Sequence, residues 1–324
     1  MKKYSKVIIN LFYLMIIFIM FAFFINEIAA QPINGLNNLS DEQKKLLNEH
    51  VYGGLPSSKP ILIRHAYILC YDADKRIPEW VAYHITPDYL KKPPREGKFA
   101  SFRKDQEVEN AVTTNEYIGL KDSLGYVRGH LVPYGVAGGD RDGDGKYAIK
   151  DLDGDGEFTK NDTLDGKFID DDDYEIETIK QINYMSNIAP QHHDAFNGSG
   201  GLWFNLERWI QDSLVRKNNV DMWVFAGSIL GAGEIEKVGS NKDISVPAMF
   251  YKIVIKKPVT GEQIPKVLAF LFPHQREKHG DIEDFLVSVD IIEALTGLNF
   301  FNSLEEDTED RLEKTDTWIY WEEF

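Results

Sequence analysis

One histidine, two carboxamides, a carboxylate and an arginine run through the middle of this chain in an order suited to metal-assisted hydrolysis. Arg128-Gly129-His130 comes first, and Asn187-Ile188-Ala189-Pro190-Gln191 and Asn197…Trp203-Phe204-Asn205-Leu206-Glu207 follow. A neutral imidazole can take a proton from water near neutrality, because its ordinary pKa lies near ~6.5. Amide and carboxylate oxygens suit a hard divalent ion, and a guanidinium offsets charge growing on a phosphate. These are the groups needed to cleave a phosphodiester beside one metal ion.

An acidic insert separates the two halves, so that His130 and Asn187 stand 57 positions apart. Between Asp140 and Glu177, 12 Asp and 3 Glu face 5 basic residues, a net −10 of the chain's −16. Residues 140–151 put Asp140, Asp142, Asp144 and Asp151 at positions 1, 3, 5 and 12 of a loop, with Gly145 at its sharp turn. Residues 151–162 repeat the pattern with Asp151, Asp153, Asp155, Asp162 and Gly156. A hard cation that wants six to eight oxygens, wrapped by a chain that a glycine lets turn, is the calcium-loop arrangement. Position 12 is Asp rather than Glu, which shortens its reach, and Asp151 would have to serve both loops. The run Asp170-Asp171-Asp172-Asp173 reads as solvated, and calcium here reads as a structural ion rather than a signal.

The elements that must position these residues alternate too irregularly for a parallel doubly wound sheet. Residues 36–52 predict a polar helix capped by Ser40 and Gln43. Strands are predicted over 64–72 and 80–86 around a turn, then over 222–227, 247–255 and 266–272, the middle one of these three partly exposed. Residues 91–125 read as an irregular surface excursion, and 281–295 as a helix closed by Thr296-Gly297. An α+β domain around a mostly antiparallel sheet follows.

Residues 1–30 stand apart. Lys2, Lys3 and Lys6 precede an apolar run to Ile25, and Ile28-Ala29-Ala30 offers a cleavage site before Gln31. That order reads as a signal peptide, with a retained N-terminal anchor as the alternative because the run nearly spans a bilayer. Either way the working part is expected outside the cytoplasm, secreted or periplasmic. With the segment cleaved, no stable membrane partner is expected. The single Cys70 allows no intramolecular disulfide and reads as a buried, inert thiol. The acidic balance excludes a binder that works by broad phosphate neutralisation, yet leaves room for an enzyme with a local positive patch.

The motifs taken together resemble the DNA/RNA non-specific endonucleases, the His-Me finger (ββα-metal) family. The resemblance rests on residues 128–133, Met185-Ser186-Asn187-Ile188-Ala189-Pro190-Gln191, Asn197 and Trp203-x-x-Leu206-Glu207, with fainter echoes at Trp80, Phe102-Arg103, Ala226-Gly227, Val246-Pro247…Lys252 and Thr296-Gly297. It implies His130 as general base, Asn187 orienting His130, and Asn197 as the direct protein ligand to Mg²⁺ (or Mn²⁺). It further implies Glu207 holding water around that ion, and Arg128 or Arg103 stabilising phosphate charge. DNA and RNA would be the substrates and 5′-phosphate ends the product, and a homodimer is compatible. His192 and His193 fall off the family pattern and read as loop residues near the substrate groove.

Four departures qualify the resemblance. Val127 stands where the family usually has Asp, and Gln211 where it usually has arginine. The spacings around Asn197 are slightly long, and the insert divides the motif. The expected organisation is therefore a signal peptide or anchor over 1–30, a helix and linker over 31–60, and a nuclease domain over 61–324 with a calcium-binding insertion over 138–177. The rival is a catalytically impaired, calcium-stabilised extracellular binding module on the same fold, the lost charges at Val127 and Gln211 marking lost activity.

Overall fold

A computed structural model describes residues 38–258 and 265–314; the expected signal segment lies outside them. The chain lays down β1 (Leu62–Ile63), β2 (Ile68–Asp72) and β3 (Ile77–Ile85), then leaves the sheet to build β4 (Tyr126–His130) and β5 (Ile188–His192). It returns for β6 (Met222–Ile229), β7 (Met249–Lys256), β8 (Lys266–Pro273) and β9 (Leu286–Val287). The seven-stranded sheet has the order β1-β2-β3-β6-β7-β8-β9, every pair antiparallel. The expected α+β architecture is what is found.

Both faces of this sheet are covered, and that corrects the reading of residues 247–255. Its alternation separates two cores rather than core from water. Phe250 and Val254 of β7 join Leu206, Ile179 and Trp203 on the face beneath the candidate site. Tyr251, Ile253 and Ile255 join Val289, Ile292 and Phe300 on the other. Every β7 residue except Met249 is buried. At ~25 cal/mol per Å² of apolar surface removed from water, two such layers hold the sheet as a rigid platform.

Helix α1 (Asp41–His50) carries the predicted Ser40–Gln43 capping box. The site side adds α2 (Asp173–Ile182) and α3 (Leu202–Arg208); the far side adds α4 (Val289–Thr296) and α5 (Glu306–Glu313). The helix predicted over 281–295 is broken in two. Leu286 and Val287 pair with Phe270 and Ala269 as the edge strand β9, and only then does α4 begin, closed as predicted by Gly297 at φ 72°. Sheet hydrogen bonds outcompete the local helix preference there. The excursion over 91–125 is irregular as expected, but Phe99, Val112 and Tyr117 bury its inner side in the core.

Candidate active site

Strands β4 and β5 pair antiparallel outside the large sheet, with Arg128 opposite Pro190, Gly129 opposite Ala189 and His130 opposite Ile188. The glycine is dictated by crowding. A Cβ on Gly129 would stand 2.1 Å from the Gln191 side chain, which crosses the ribbon at that point. Gln191 Oε1 in turn accepts from Asn197 Nδ2 at 2.5 Å. After β5 the chain makes one π turn over His193–Asn197 before α3. Such π turns recur near functional sites, and this one ends on Asn197. His192 belongs to β5 rather than a loop: it is buried, stacks on Tyr126 at 4.4 Å, and its N–H donates to His274 Nε2.

The His130 ring is held by Asn183, which corrects the role expected of Asn187. Asn183 Nδ2 donates to Phe99 O at 3.0 Å and Ile179 O at 3.1 Å, so its Oδ1 is the end that faces His130 Nε2 at 3.3 Å. An oxygen acceptor there requires the proton on Nε2, which leaves the Nδ1 lone pair as the basic atom. Asn187 works on the main chain instead. Its Oδ1 accepts from Val132 N, its Nδ2 donates to Val132 O and Ile182 O, all at 2.9 Å, and its own carbonyl accepts from Leu131 N. It thus fixes the strand end that carries His130. Burial, with the Arg95 charge second, pushes the His130 pKa down to about 3, so the imidazole is neutral at physiological pH.

Phe102 gathers the positive charge. Its ring centroid lies 5.1 Å from that of His130, and the Arg95 and Arg128 guanidiniums sit 5.0 and 5.1 Å from it. Both arginines line an open groove with Tyr117, Lys121 and Val127. Arg128 also donates to Thr114 O at 3.1 Å. Arg103 contacts the Lys98 carbonyl oxygen at 3.4 Å; the cation bearing on His130 is Arg95, which sequence reasoning missed because no motif contains it.

The third side is an ordered chain of contacts. Trp203 Nε1 donates to His130 O at 3.2 Å, and Lys252 Nζ lies 3.9 Å from the Trp203 ring. Lys252 is fully buried and pairs with Glu207 at 3.2 Å. Burial raises the Glu207 carboxyl and lowers the Lys252 ammonium, each opposed by the other's charge. Asn197 and Glu207 offer the kind of oxygens a hydrated, hard divalent ion takes. Asn197 has its nitrogen committed to Gln191, which turns Oδ1 the other way, and the buried Glu207 carboxylate is paired with Lys252. Gln211 is buried, packed so closely on Gly135 that a Cβ there would lie 2.0 Å from its Oε1.

In the insert, the aspartates gather into two groups. One oxygen from each of Asp140, Asp142 and Asp144 lies within 4.8 Å of the others, as does one from each of Asp151, Asp153 and Asp162. Gly145 and Gly156 have φ of 87° and 79°, the left-handed turn the loops need. Asp155 accepts from Glu157 N. Asp151 opens the second loop, its oxygens accepting from Gly154 N and Gly156 N as those of Asp140 accept from Gly143 N and Gly145 N in the first. Asp172 is not solvated: it caps α2 by accepting from Tyr174 N and stands with Asp142 and Glu175.

Comparison with known proteins agrees with this geometry. The model of the DNA/RNA non-specific endonuclease family matches residues 48–147 and 168–307, leaving out the stretch that holds the second acidic loop. The chain is 26% identical to the nuclease of Serratia marcescens over 255 residues, 78% of this chain and 79% of that one. It is 23% identical to the mitochondrial nuclease EXOG of Xenopus laevis over 281 residues, 83% of this chain but 65% of that one, just under two thirds of its length. The fold matches the solved EndoG/EndoGI complex with a TM-score of 0.59 at 19% identity, covering 84% of this chain and 96% of the other.

Proposed function

The chain belongs to the DNA/RNA non-specific endonuclease family, and from that premise we propose that it hydrolyses phosphodiester bonds of DNA and RNA with His130 as general base. The observation that carries this reading is the fixed tautomer of His130: Asn183 Oδ1 accepts from Nε2–H, which leaves the Nδ1 lone pair free. Nδ1 then receives a proton from the attacking water. Arg128 and Arg95, held against Phe102, take up the charge on the scissile phosphate. Asn197 would hold magnesium or manganese directly and Glu207 through water, and Lys252 keeps Glu207 in place. When bound, that ion supplies charge stabilisation at the phosphate and the leaving 3′ oxygen.

Calcium in the insertion and export by residues 1–30 complete the proposal. The two carboxylate groups support the first, and the basic, apolar and small-residue order supports the second. Plasmid and RNA cleavage by the full chain, with magnesium and calcium varied separately, tests the enzyme. Magnesium-dependent cutting is expected, with His130→Ala slower by at least about 10³-fold. Folded, metal-loaded wild-type protein that leaves both nucleic acids intact would overturn this reading in favour of the binding module.

A further inference from the structure

We propose that a calcium ion at the first acidic loop is held by carboxylates of two separate elements, Asp142 from the loop and Asp172 and Glu175 from the start of α2. The ion would thereby fasten the helix whose C-cap residue holds His130. This rests on the reading of the insert as calcium-binding, and adds to it the ligand set and the consequence.

The first loop ends on a short ligand. Residue 151 closes it with an aspartate and at the same time opens the second loop, whose amides its oxygens accept. Calcium loops finish with a glutamate long enough to engage the ion with both oxygens. Here a glutamate arrives from elsewhere in the chain. One oxygen each of Asp142, Asp172 and Glu175 lies within 4.8 Å of the others, and Asp142 also belongs to the group with Asp140 and Asp144. Asp142 thus stands in both groups.

Glu175 supplies the independent sign of a missing ligand. It is 1% exposed, and its Oε1 accepts from Arg141 N at 3.1 Å, yet no N–H or hydroxyl donor among the described residues reaches buried Oε2, and the neighbouring group is the Asp172 carboxyl. A buried carboxylate oxygen without a donor is costly, and a divalent cation resolves it where no donor can reach. Asp172 Oδ1 caps the helix, Oδ2 lies 3.5 Å from Lys146 Nζ, and its carboxyl also meets that of Glu175. Lys146 also reaches Asp144 at 2.5 Å, so it neutralises the outer carboxylates. Its side chain is 48% exposed and can swing aside when an ion enters.

The link to catalysis is the helix itself. Its ten residues run from Asp173 to Ile182, about 15 Å at 1.5 Å per residue. Asn183 caps the far end and faces His130 Nε2, and Ile182 O accepts from Asn187 Nδ2. A cation tying the first turn to the loop restrains both asparagines.

Calcium titration calorimetry on the chelator-stripped full chain tests this, with Glu175→Gln, Asp172→Asn and Asp153→Asn beside the wild type. Glutamine keeps the acceptor for Arg141 N, and asparagine keeps the helix cap, so Asp172→Asn carries the test if Glu175→Gln fails to fold. Two ions should bind the wild type. Glu175→Gln and Asp172→Asn should each weaken one site by at least about tenfold, and Asp153→Asn the other. Amide hydrogen exchange over residues 176–187 should slow with calcium in wild type and Asp153→Asn, but not in Glu175→Gln. No calcium binding by the wild type overturns the calcium reading and this inference together. Binding that Glu175→Gln and Asp172→Asn leave unchanged, or a single ion sensitive only to Asp153→Asn, overturns the inference alone.

Discussion

Asn183 decides which nitrogen of His130 can act. Both of its N–H bonds are spent on carbonyl oxygens, so the amide has one orientation and the imidazole one tautomer. Asn183→Leu keeps the volume and removes the acceptor. Single-turnover cleavage should fall about 10²–10³-fold, with KM little changed. Nitrogen-15 NMR separates this from mere loosening: the wild-type ring should show a proton on Nε2 alone, and the variant a mixture. An unmixed Nε2–H signal in the variant would remove Asn183 from its positioning role. Because burial lowers the His130 pKa to about 3, the base is already unprotonated at pH 5.5. The rate should therefore show no step near pH 6.5 attributable to this ring; such a step, absent when the ring is replaced, would contradict its burial.

At the scale of elements, the β4–β5 ribbon is built around one close approach. Gln191 occupies the space where a Gly129 side chain would stand and also receives Asn197 Nδ2. Gly129→Ala should therefore do two things. Overpacking should cost about 1–3 kcal/mol in urea unfolding, and displacing Gln191 should weaken metal activation through Asn197. The readouts are the denaturation midpoint and the magnesium concentration giving half-maximal cleavage; an unchanged value of the latter would show that Gln191 does not position Asn197. Arg-Gly-His, Asn197 and Glu207 were legible in sequence because their spacing is local to this ribbon, turn and helix. Asn183, Arg95 and Lys252's pairing with Glu207 were not, since each meets the site across a fold contact no spacing encodes.

The whole molecule buries several histidines neutral. His50, His84 and His130 have pKa values lowered to about 3 and His274 to about 4, each chiefly by burial. The unfolded chain protonates all four near ~6.5, whereas the folded chain does not until far lower. Above pH 6.5 neither state binds the extra protons and stability is unaffected. As pH falls toward 4, the unfolded state gains them first, and stability drops by up to ~1.4 kcal/mol per histidine per pH unit. Urea midpoints between pH 7 and 4.5 should therefore decline steeply. A flat profile would mean these rings are not buried neutral.

By itself the sequence determined the chemistry available and the class of fold. Gly129 beside His130, the Asp-x-Asp-Gly-Asp-Gly repeats and the period of the strands are constraints written between near neighbours. The tertiary structure decided which groups pair over long separations. It gave Asn183 rather than Asn187 the His130 ring, and brought Glu175 beside Asp142 of the first acidic loop. It also covered both faces of β7, so that an alternation suggesting a half-exposed strand marks the boundary between two cores. The reason is physical: hydrogen-bond and charge partners are set by which surfaces the folded layers press together, and the linear order of residues records only the near ones.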